Sequence, residues 1–258
     1  MVKKIVGTGV LLVLALALQA GVKMYTLKSP DGKVKLEVTA GQGIAYSLFY
    51  DGRLLLKPSR IALHTDLPEA DHWENIRITG TKQRHVSETV QAPFYRVKEF
   101  GIDCNELELR LNNGFSLLMR AYNDGMAYRF VAGRKGEMTV VEERAEFNFA
   151  DDFEVYIPYS TNPKDPWNMA FQNFYTKAPL TQYNTELPAF LPLTVDAGAV
   201  KLTLLESDLE AYPGMFVRGD GKTPALKGVF AAYPQETFKN KWRCQETVKT
   251  RRPYIARV

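Results

Sequence analysis

The chain has 258 residues, of which 45% are hydrophobic and 12% aromatic, and its formal net charge is +4. This length and apolar content are enough for one large all-β domain or two small ones, without metals or disulfides to support the core. The 33 basic residues are scattered and nearly balanced by 29 acidic ones, which argues against nucleic-acid binding. The one basic stretch, residues 249–252, is interpreted as a solvated tail.

The N-terminus has the pattern of an export signal. Lys3 and Lys4 precede an apolar run over residues 5–18, and Ala20 and Gly21 offer small residues at a cleavage site. The run is short for a membrane span, so residues 1–20 are predicted to be a secretory signal peptide cleaved near Ala20. The mature chain is then periplasmic or secreted and has no membrane partner. An uncleaved anchor is the alternative.

Strand patterns dominate from residue 24 onward, with alternating polar and apolar residues between turn residues. Asp51-Gly52 is a strong hairpin signal, and two Asn- and Gly-containing turns divide residues 106–131 into a three-strand meander. The predicted strands cover residues 33–39, 44–50, 53–56, 106–111, 115–122, 126–131, 139–149, 154–158, 189–195, 200–205 and 228–232.

Helical periodicity is confined to a short candidate turn at residues 207–212, which Ser207 or Asp208 could cap. Many short strands with Gly, Asn, Asp and Pro corners predict an all-β fold with two large antiparallel sheets. We expect this domain to occupy residues 24–246. Residues 247–258 are basic and show no strand pattern, so they are predicted to begin a linker.

No nucleophile elbow, phosphate loop or zinc motif is visible. The histidines are His64, His72 and His85, and a His/Glu acid–base pair of the kind that a sugar isomerase needs could be drawn from them. The alternative is that each histidine is a surface or hydrogen-bonding residue. Cys104 and Cys244 could pair in an oxidising compartment, or both could be buried free thiols.

Two loop segments combine aromatic and polar residues between strands. Rings cover the apolar faces of sugars and amides bind their hydroxyls, although such loops can also simply pack on their own sandwich. The sugar-facing candidates are Trp167, Asn168, Gln172, Asn173 and Tyr175. In the second segment, Glu206, Asp208 and Glu210 could ligate calcium on an extended chain, or fan out and cap a turn on a helical one.

These segments and several others, in this order and spacing, resemble the N-terminal domain of glycoside hydrolase family 97, which contains α-glucosidases and α-galactosidases of gut Bacteroidetes. The resemblance covers roughly residues 25–258. Its motifs are Ser29-Pro-Asp-Gly32, Tyr46-Ser-Leu-Phe-Tyr-Asp-Gly52, Asn105-Glu-Leu107, Arg120-Ala-Tyr-Asn-Asp-Gly-Met-Ala-Tyr-Arg-Phe130, Ala145-Glu-Phe-Asn-Phe149, Tyr156-Ile-Pro158, Tyr175-Thr-Lys-Ala-Pro-Leu180 and Glu206-Ser-Asp-Leu-Glu-Ala-Tyr-Pro-Gly-Met215.

The resemblance implies a β-super-sandwich similar to galactose mutarotase, followed by a (β/α)8 barrel that holds the catalytic carboxylates and most of a calcium site. This chain has no room for that barrel, so we expect it to be the accessory domain without catalytic residues. The family's calcium-binding Glu of this domain falls on Gln172, a neutral amide that weakens metal binding. Calcium is expected in the full-length enzyme and not for this chain by itself.

Three roles follow as hypotheses. The first is a non-catalytic domain that braces the barrel and forms one wall of the site for an α-glucoside or α-galactoside. The second is a stand-alone mutarotase-type isomerase that uses a His/Glu pair, and the third is a free carbohydrate-binding module. The first predicts an apolar patch facing the barrel, formed partly by Trp167, Phe171 and Tyr175.

Overall fold

The structure is a computed structural model that describes residues 22–167, 172–207, 209–239 and 246–258. Within those ranges the chain forms eighteen strands and one 3-10 turn, Leu180–Gln182. The signal-peptide prediction lies outside the described residues, as do Asn168, Phe171, Asp208 and Cys244. No helix in the described ranges is long and apolar enough to cross a membrane.

The strands follow one another with mostly short connections. Their bounds are β1 Lys23–Lys28, β2 Val34–Gly41, β3 Gly43–Tyr50, β4 Arg53–Thr65, β5 Ile78–Gln91, β6 Glu99–Leu111, β7 Phe115–Tyr122, β8 Gly125–Ala132, β9 Thr139–Asn148, β10 Glu154–Ile157, β11 Thr176–Pro179, β12 Leu193–Ala197, β13 Val200–Leu204, β14 Met215–Gly219, β15 Ala225–Phe230, β16 Pro234–Lys239, β17 Glu246–Arg251 and β18 Ala256–Arg257.

All strand pairs are antiparallel. The largest sheet has eight strands in the order β1-β2-β3-β4-β9-β15-β14, with β18 pairing β9. A four-stranded sheet runs β5-β6-β7-β8, a second runs β11-β10-β12-β13, and β16 pairs β17. This confirms the all-β fold that the turn and alternation patterns predict.

The core lies between the eight-stranded sheet and the β5–β8 sheet. Strands β2 and β7 alternate buried and half-buried residues along their whole length, as strands with one face on a core do. The ring of Tyr46 on β3 lies 5.9 Å from that of Tyr128 on β8, and the Trp73 ring lies 5.3 Å from that of Phe130. Aromatic contacts of this length hold the two layers together.

The sheet of β10–β13 is attached to the large sheet through Ala189, which bridges both Tyr159 and Val217. Tyr183 strengthens this junction because its hydroxyl donates to the Val217 carbonyl at 2.8 Å and its ring lies 5.0 Å from that of Tyr159. The loop with the sugar-facing candidates precedes β11, at the edge of this sheet.

Two local predictions are wrong. The described residues of the candidate helix at 207–212 are irregular chain and bends rather than helix, and Glu206 next to them accepts the Met215 amide at 2.7 Å. Residues 247–258 do not form an unpaired tail. They form β17 and β18, and Ile255 and Ala256 are 8% and 1% exposed within the core.

Candidate functional site

The aromatic–amide loop, residues 172–175, presents its side chains at the surface. Gln172 is exposed, Phe174 is 94% exposed and Tyr175 is 49% exposed. Asn173 anchors the loop, since its amide nitrogen donates to the Tyr159 carbonyl at 2.8 Å and its oxygen accepts the Phe174 amide at 2.9 Å. The exposed ring and amide types are those that cover and hydrogen-bond sugars.

Trp167 packs on its own domain. Its ring meets Phe216 on β14 edge-on, with centroids 4.9 Å apart, and it is half-buried. The preceding residue is also tied down, because Ser160 donates its hydroxyl to the Pro166 carbonyl at 2.9 Å. Of the five sugar-facing candidates, Gln172 and Tyr175 are therefore presented outward, Asn173 and Trp167 support the loop, and Asn168 lies outside the described residues.

A polar cleft of about 480 Å³ lies where β1 meets the β5–β6 pair, lined by side chains that include Gln83, Arg84, His85, Asn105 and Glu106. Two of these protect the open edge of β1. Gln83 donates to the Thr26 carbonyl at 3.3 Å, and Asn105 donates to the Lys28 carbonyl at 2.9 Å. Because an unpaired strand edge is a template for aggregation, these amides have a structural task.

Glu106 sits at the base of this cleft between two guanidinium groups. It is 5% exposed, and its carboxylate accepts Arg84 Nε at 2.6 Å and Arg120 Nε at 2.8 Å. Burial by itself would raise the pKa of Glu106, but the hydrogen bonds from Arg84 and Arg120 outweigh burial and hold that pKa below its usual value. A carboxylate stabilised in its charged form is a poor general acid or base near neutral pH.

The histidines do not assemble an acid–base site with this glutamate. His85 lines the same cleft, but its ring contacts Asn105 Oδ1 at 3.0 Å and Asp103 Oδ1 at 3.1 Å. His64 lies on β4, where its Nδ1 atom contacts Asp71 Oδ1 at 2.7 Å. The side chains of His64, His85 and Glu106 are thus occupied by structural contacts and His72 is exposed, which favours the surface interpretation of the histidines.

The sequence analysis missed a second carboxylate centre, in the space between the two large sheets. Glu143 on β9 accepts the Tyr212 hydroxyl at 2.8 Å. Burial, with a smaller contribution from the charge of Glu206, outweighs the Tyr212 hydrogen bond and raises the pKa of Glu143 to about 7. Burial also raises the pKa of Glu206. Tyr212 lies 69 residues from Glu143 in the chain, so only the tertiary fold reveals the contact.

The described residues hold no group of three or more His, Cys, Asp or Glu side chains that could bind a metal. Glu206 is used internally by the Met215 amide, so it does not face outward with Glu210, which is exposed. A calcium ion takes six to eight oxygen ligands, and Gln172 offers one neutral oxygen. In the described part of the chain, the residues present do not fit a complete calcium site.

Cys104 is buried at the inner face of β6, and burial raises the pKa of its thiol. A thiol with a raised pKa in such surroundings is unreactive. Cys104 is a free thiol in the structure, as the second of the two alternatives expects, and Cys244 lies outside the described residues.

Solved structures share this fold. A glycoside hydrolase family 97 enzyme from Pseudoalteromonas sp. strain K8, solved in complex with acarbose, matches with a TM-score of 0.67 and 18% identity, over 80% of this chain and 32% of that one. A beta-arabinopyranosidase matches with a TM-score of 0.69 and 20% identity, over 80% of this chain and 35% of that one. The chain therefore shares its fold with about a third of each of these two solved chains.

Sequence comparison identifies the family. The family model described as Glycosyl-hydrolase 97 N-terminal matches residues 27–252, and the chain belongs to this family. A retaining alpha-galactosidase of Bacteroides thetaiotaomicron is 38% identical over 251 residues, 94% of this chain and 38% of the relative. A probable retaining alpha-galactosidase of Streptomyces bingchenggensis is 25% identical over 158 residues, 60% of this chain and 24% of the relative. The chain thus spans well under half the length of these relatives.

Proposed function

We propose that this chain is the non-catalytic N-terminal domain of an exported α-glycoside hydrolase, where it braces a catalytic (β/α)8 barrel and forms one wall of the carbohydrate and calcium site. The observation that carries the proposal is the coverage. Nearly the whole chain, 94%, matches a retaining alpha-galactosidase, yet the match spans only 38% of that enzyme. The substrate class that this relative suggests is an α-galactoside.

The state of the carboxylates supports a non-catalytic role. A glycosidase needs two carboxyl groups that flank one scissile bond, about 5–9.5 Å apart. Glu106 is held by two arginines, and Glu143 is hydrogen-bonded inside the sandwich to Tyr212. Neither carboxyl group has a histidine among its hydrogen-bond partners in the described residues, which argues against the His/Glu pair of the mutarotase alternative.

The aromatic–amide loop is the surface that we assign to the wall of the sugar site. Tyr175 and Phe174 offer exposed rings, Gln172 offers a free amide, and Asn173 fixes the loop in place. Within the enzyme, Gln172 would supply one oxygen to calcium, and the charged ligands would come from the barrel. Export through the predicted signal peptide at residues 1–20 is part of the proposal.

The test is a chimera in which residues 27–252 replace the matching segment of the Bacteroides thetaiotaomicron enzyme, assayed with p-nitrophenyl α-galactoside. We expect an active chimera. Gln172→Glu should lower the calcium concentration needed for half-maximal activity by about tenfold, because a charged ligand replaces a neutral one. Tyr175→Ala should raise KM several-fold, since aromatic cover of a sugar contributes about 1 kcal/mol.

Gln182→Glu is the matched control, because Gln182 is an exposed glutamine on the neighbouring 3-10 turn. It should change neither calcium dependence nor KM. If Gln172→Glu and Tyr175→Ala behave like this control in an active chimera, the loop does not border the site and the proposal is wrong in that part.

The exposed rings of Phe174 and Tyr175 also favour a second candidate, a carbohydrate-binding module that acts without the barrel. Isothermal titration of the chain with galactose and melibiose distinguishes the two. Saturable binding that Tyr175→Ala abolishes would support the module, whereas the barrel-dependent wall predicts no measurable binding by the chain by itself.

A further inference from the structure

The β5–β6 hairpin projects beyond the sheet to which it belongs. Strands β5 and β6 pair from Ile78↔Leu111 to Gln91↔Glu99, with one register shift between Ile78 and Gly80. Strand β7 joins β6 only from the Cys104↔Tyr122 pair onward. Residues 87–103 therefore form a two-stranded ribbon with no third strand beside it, an arrangement that is marginally stable in water unless something packs on it.

The two faces of this ribbon differ. Directly paired residues share a face. At the root of the ribbon, one face carries the paired residues Val86 and Cys104, which are 8% and 0% exposed. Further out, the same face carries Val90 and Phe100, which are paired with each other and are 42% and 45% exposed. The inner, apolar face of the sandwich thus continues past the end of the sheet with no cover.

The opposite face of the ribbon has no large apolar side chain. It carries the paired residues Ser87 and Asp103, Thr89 and Gly101, and Gln91 and Glu99. The strict alternation of period two is the pattern of a strand with one buried face and one solvated face. Glu88 is the one charged residue on the otherwise apolar face, opposite Ile102.

The tip of the ribbon is an ordered turn with apolar side chains pointing outward. The Ala92 amide donates to the Lys98 carbonyl at 2.7 Å, and the Tyr95 amide donates to the Ala92 carbonyl at 3.0 Å. On this turn Phe94 is 97% exposed, Tyr95 69% and Val97 53%. Exposed apolar surface of this kind, continuous with the ribbon's inner face, is typical of an interface.

We propose that the apolar face and tip of this ribbon dock on the polypeptide that lies beyond this domain in its longer relatives. The inference rests on the proposed function and adds the contact surface to it. The fold is joined to a larger body in each of the matched enzymes, since it covers 32–35% of the solved chains and 38% of the galactosidase. The occupant is thus a partner held in the same chain.

The size of the surface favours this occupant over a second copy of the domain. The five exposed apolar side chains, Val90, Phe94, Tyr95, Val97 and Phe100, offer roughly 500 Å², with up to about 250 Å² for a fully exposed aromatic residue. A stable interface between separate chains needs about 800 Å² per partner. A covalent connection removes that requirement, because it supplies an effective concentration in the millimolar range.

The charges at the tip indicate the chemistry of the receiving surface. Arg96 and Lys98 flank the apolar residues and are exposed. A matching site is an apolar groove for Phe94 with carboxylates at its rim, where complementary charge sets orientation.

The experiment compares the chain with the chimera described above, by hydrogen–deuterium exchange over residues 87–103 and by trypsin cleavage at Arg96 and Lys98. We expect rapid exchange and cleavage in the chain, and at least about tenfold slower exchange and cleavage in the chimera. The double variant Phe94→Ser, Phe100→Ser should remove this protection in the chimera and leave the Tm of the chain unchanged. Ser87→Ala, Thr89→Ala on the polar face is the matched control and should leave protection intact.

Equal exchange and cleavage in the chain and an active chimera would overturn the docking proposal and leave the proposed function standing. A protected ribbon in a chimera that hydrolyses no galactoside would contradict the proposed function and leave the docking proposal standing. If the chimera does not fold, the same readouts on the intact Bacteroides thetaiotaomicron enzyme decide, with an unprotected matching ribbon overturning the proposal. A dimer of the chain that Phe94→Ser, Phe100→Ser dissociates would also overturn it, in favour of a second copy.

Discussion

The protonation of Glu143 affects the stability of the domain. Its pKa of about 7 lies above the ordinary value of 4.5, because it is buried and close to Glu206. The folded state therefore binds this proton more tightly than the unfolded state. The resulting stability is fully present below about pH 4.5 and is lost as the pH rises through 7, by about 3 kcal/mol in total.

Glu143→Gln should remove this pH dependence while keeping an acceptor for Tyr212. Thermal unfolding followed by circular dichroism between pH 5 and pH 8 should show the wild type losing stability relative to the variant by up to about 3 kcal/mol. Glu142→Gln, at the exposed neighbouring position of β9, is the control. Parallel pH profiles for wild type and Glu143→Gln would show that the carboxyl titrates at its ordinary pKa.

Glu106 presents the opposite case, a buried carboxylate that is needed in its charged form. Glu106→Gln should destabilise the domain by about 2–4 kcal/mol, because Arg84 and Arg120 lose their common partner. The comparison is Glu108→Gln on the same strand, whose more exposed pair with Arg110 should contribute less than about 1 kcal/mol. Urea unfolding measures both, and equal losses would contradict the clamp.

At the scale of elements, the junction between the β10–β13 sheet and β14 depends on close backbone approach. A Cβ on Gly219 would lie 2.7 Å from Cγ of Tyr183, whose hydroxyl is held by the Val217 carbonyl. Gly219→Ala should therefore cost about 2 kcal/mol through overpacking. In Gly101→Ala the new Cβ would meet nothing within 4 Å, so urea unfolding should show a change within about 0.5 kcal/mol. Similar values for the two variants would mean that Tyr183 moves freely.

The elements that the sequence predicts are those with one buried face or a demanding turn. Asp51 and Gly52 have φ angles of 49° and 80°, as the hairpin signal requires, and strands β2 and β7 follow their alternation closely. Strand β5 escapes sequence reasoning because thirteen of its fourteen residues are exposed or half-buried, so no core imposes a pattern on it. The same applies to residues 247–251, which are exposed or half-buried and pair with the exposed strand β16.

The candidate site was predictable in residue type and less so in arrangement. The loop's aromatic and amide residues identify its chemistry, but the anchor of Asn173 on the Tyr159 carbonyl is a contact between distant segments. The pairing of Glu143 with Tyr212 and the arginine clamp on Glu106 depend in the same way on strand order, which a single sequence does not specify.

At the scale of the whole molecule, the β-sandwich domain presents two surfaces that we assign to contacts with the rest of an enzyme, the aromatic–amide loop and the β5–β6 ribbon. If the proposed function holds, the chain by itself supplies one wall of the sugar site, and the catalytic carboxylates come from the rest of the enzyme. The domain should fold cooperatively, because its core is one contiguous cluster that joins the layers.

The most direct measurement is the release of p-nitrophenol from p-nitrophenyl α-galactoside by the purified chain at high concentration, with mutarotation of fresh α-galactose measured in parallel. The proposed function predicts that the chain releases p-nitrophenol and mutarotates galactose no faster than buffer does. Hydrolysis should occur only in the chimera with the Bacteroides thetaiotaomicron enzyme. Hydrolysis or mutarotation by the chain that scales with its concentration and disappears in Glu106→Gln or Glu143→Gln would contradict the account.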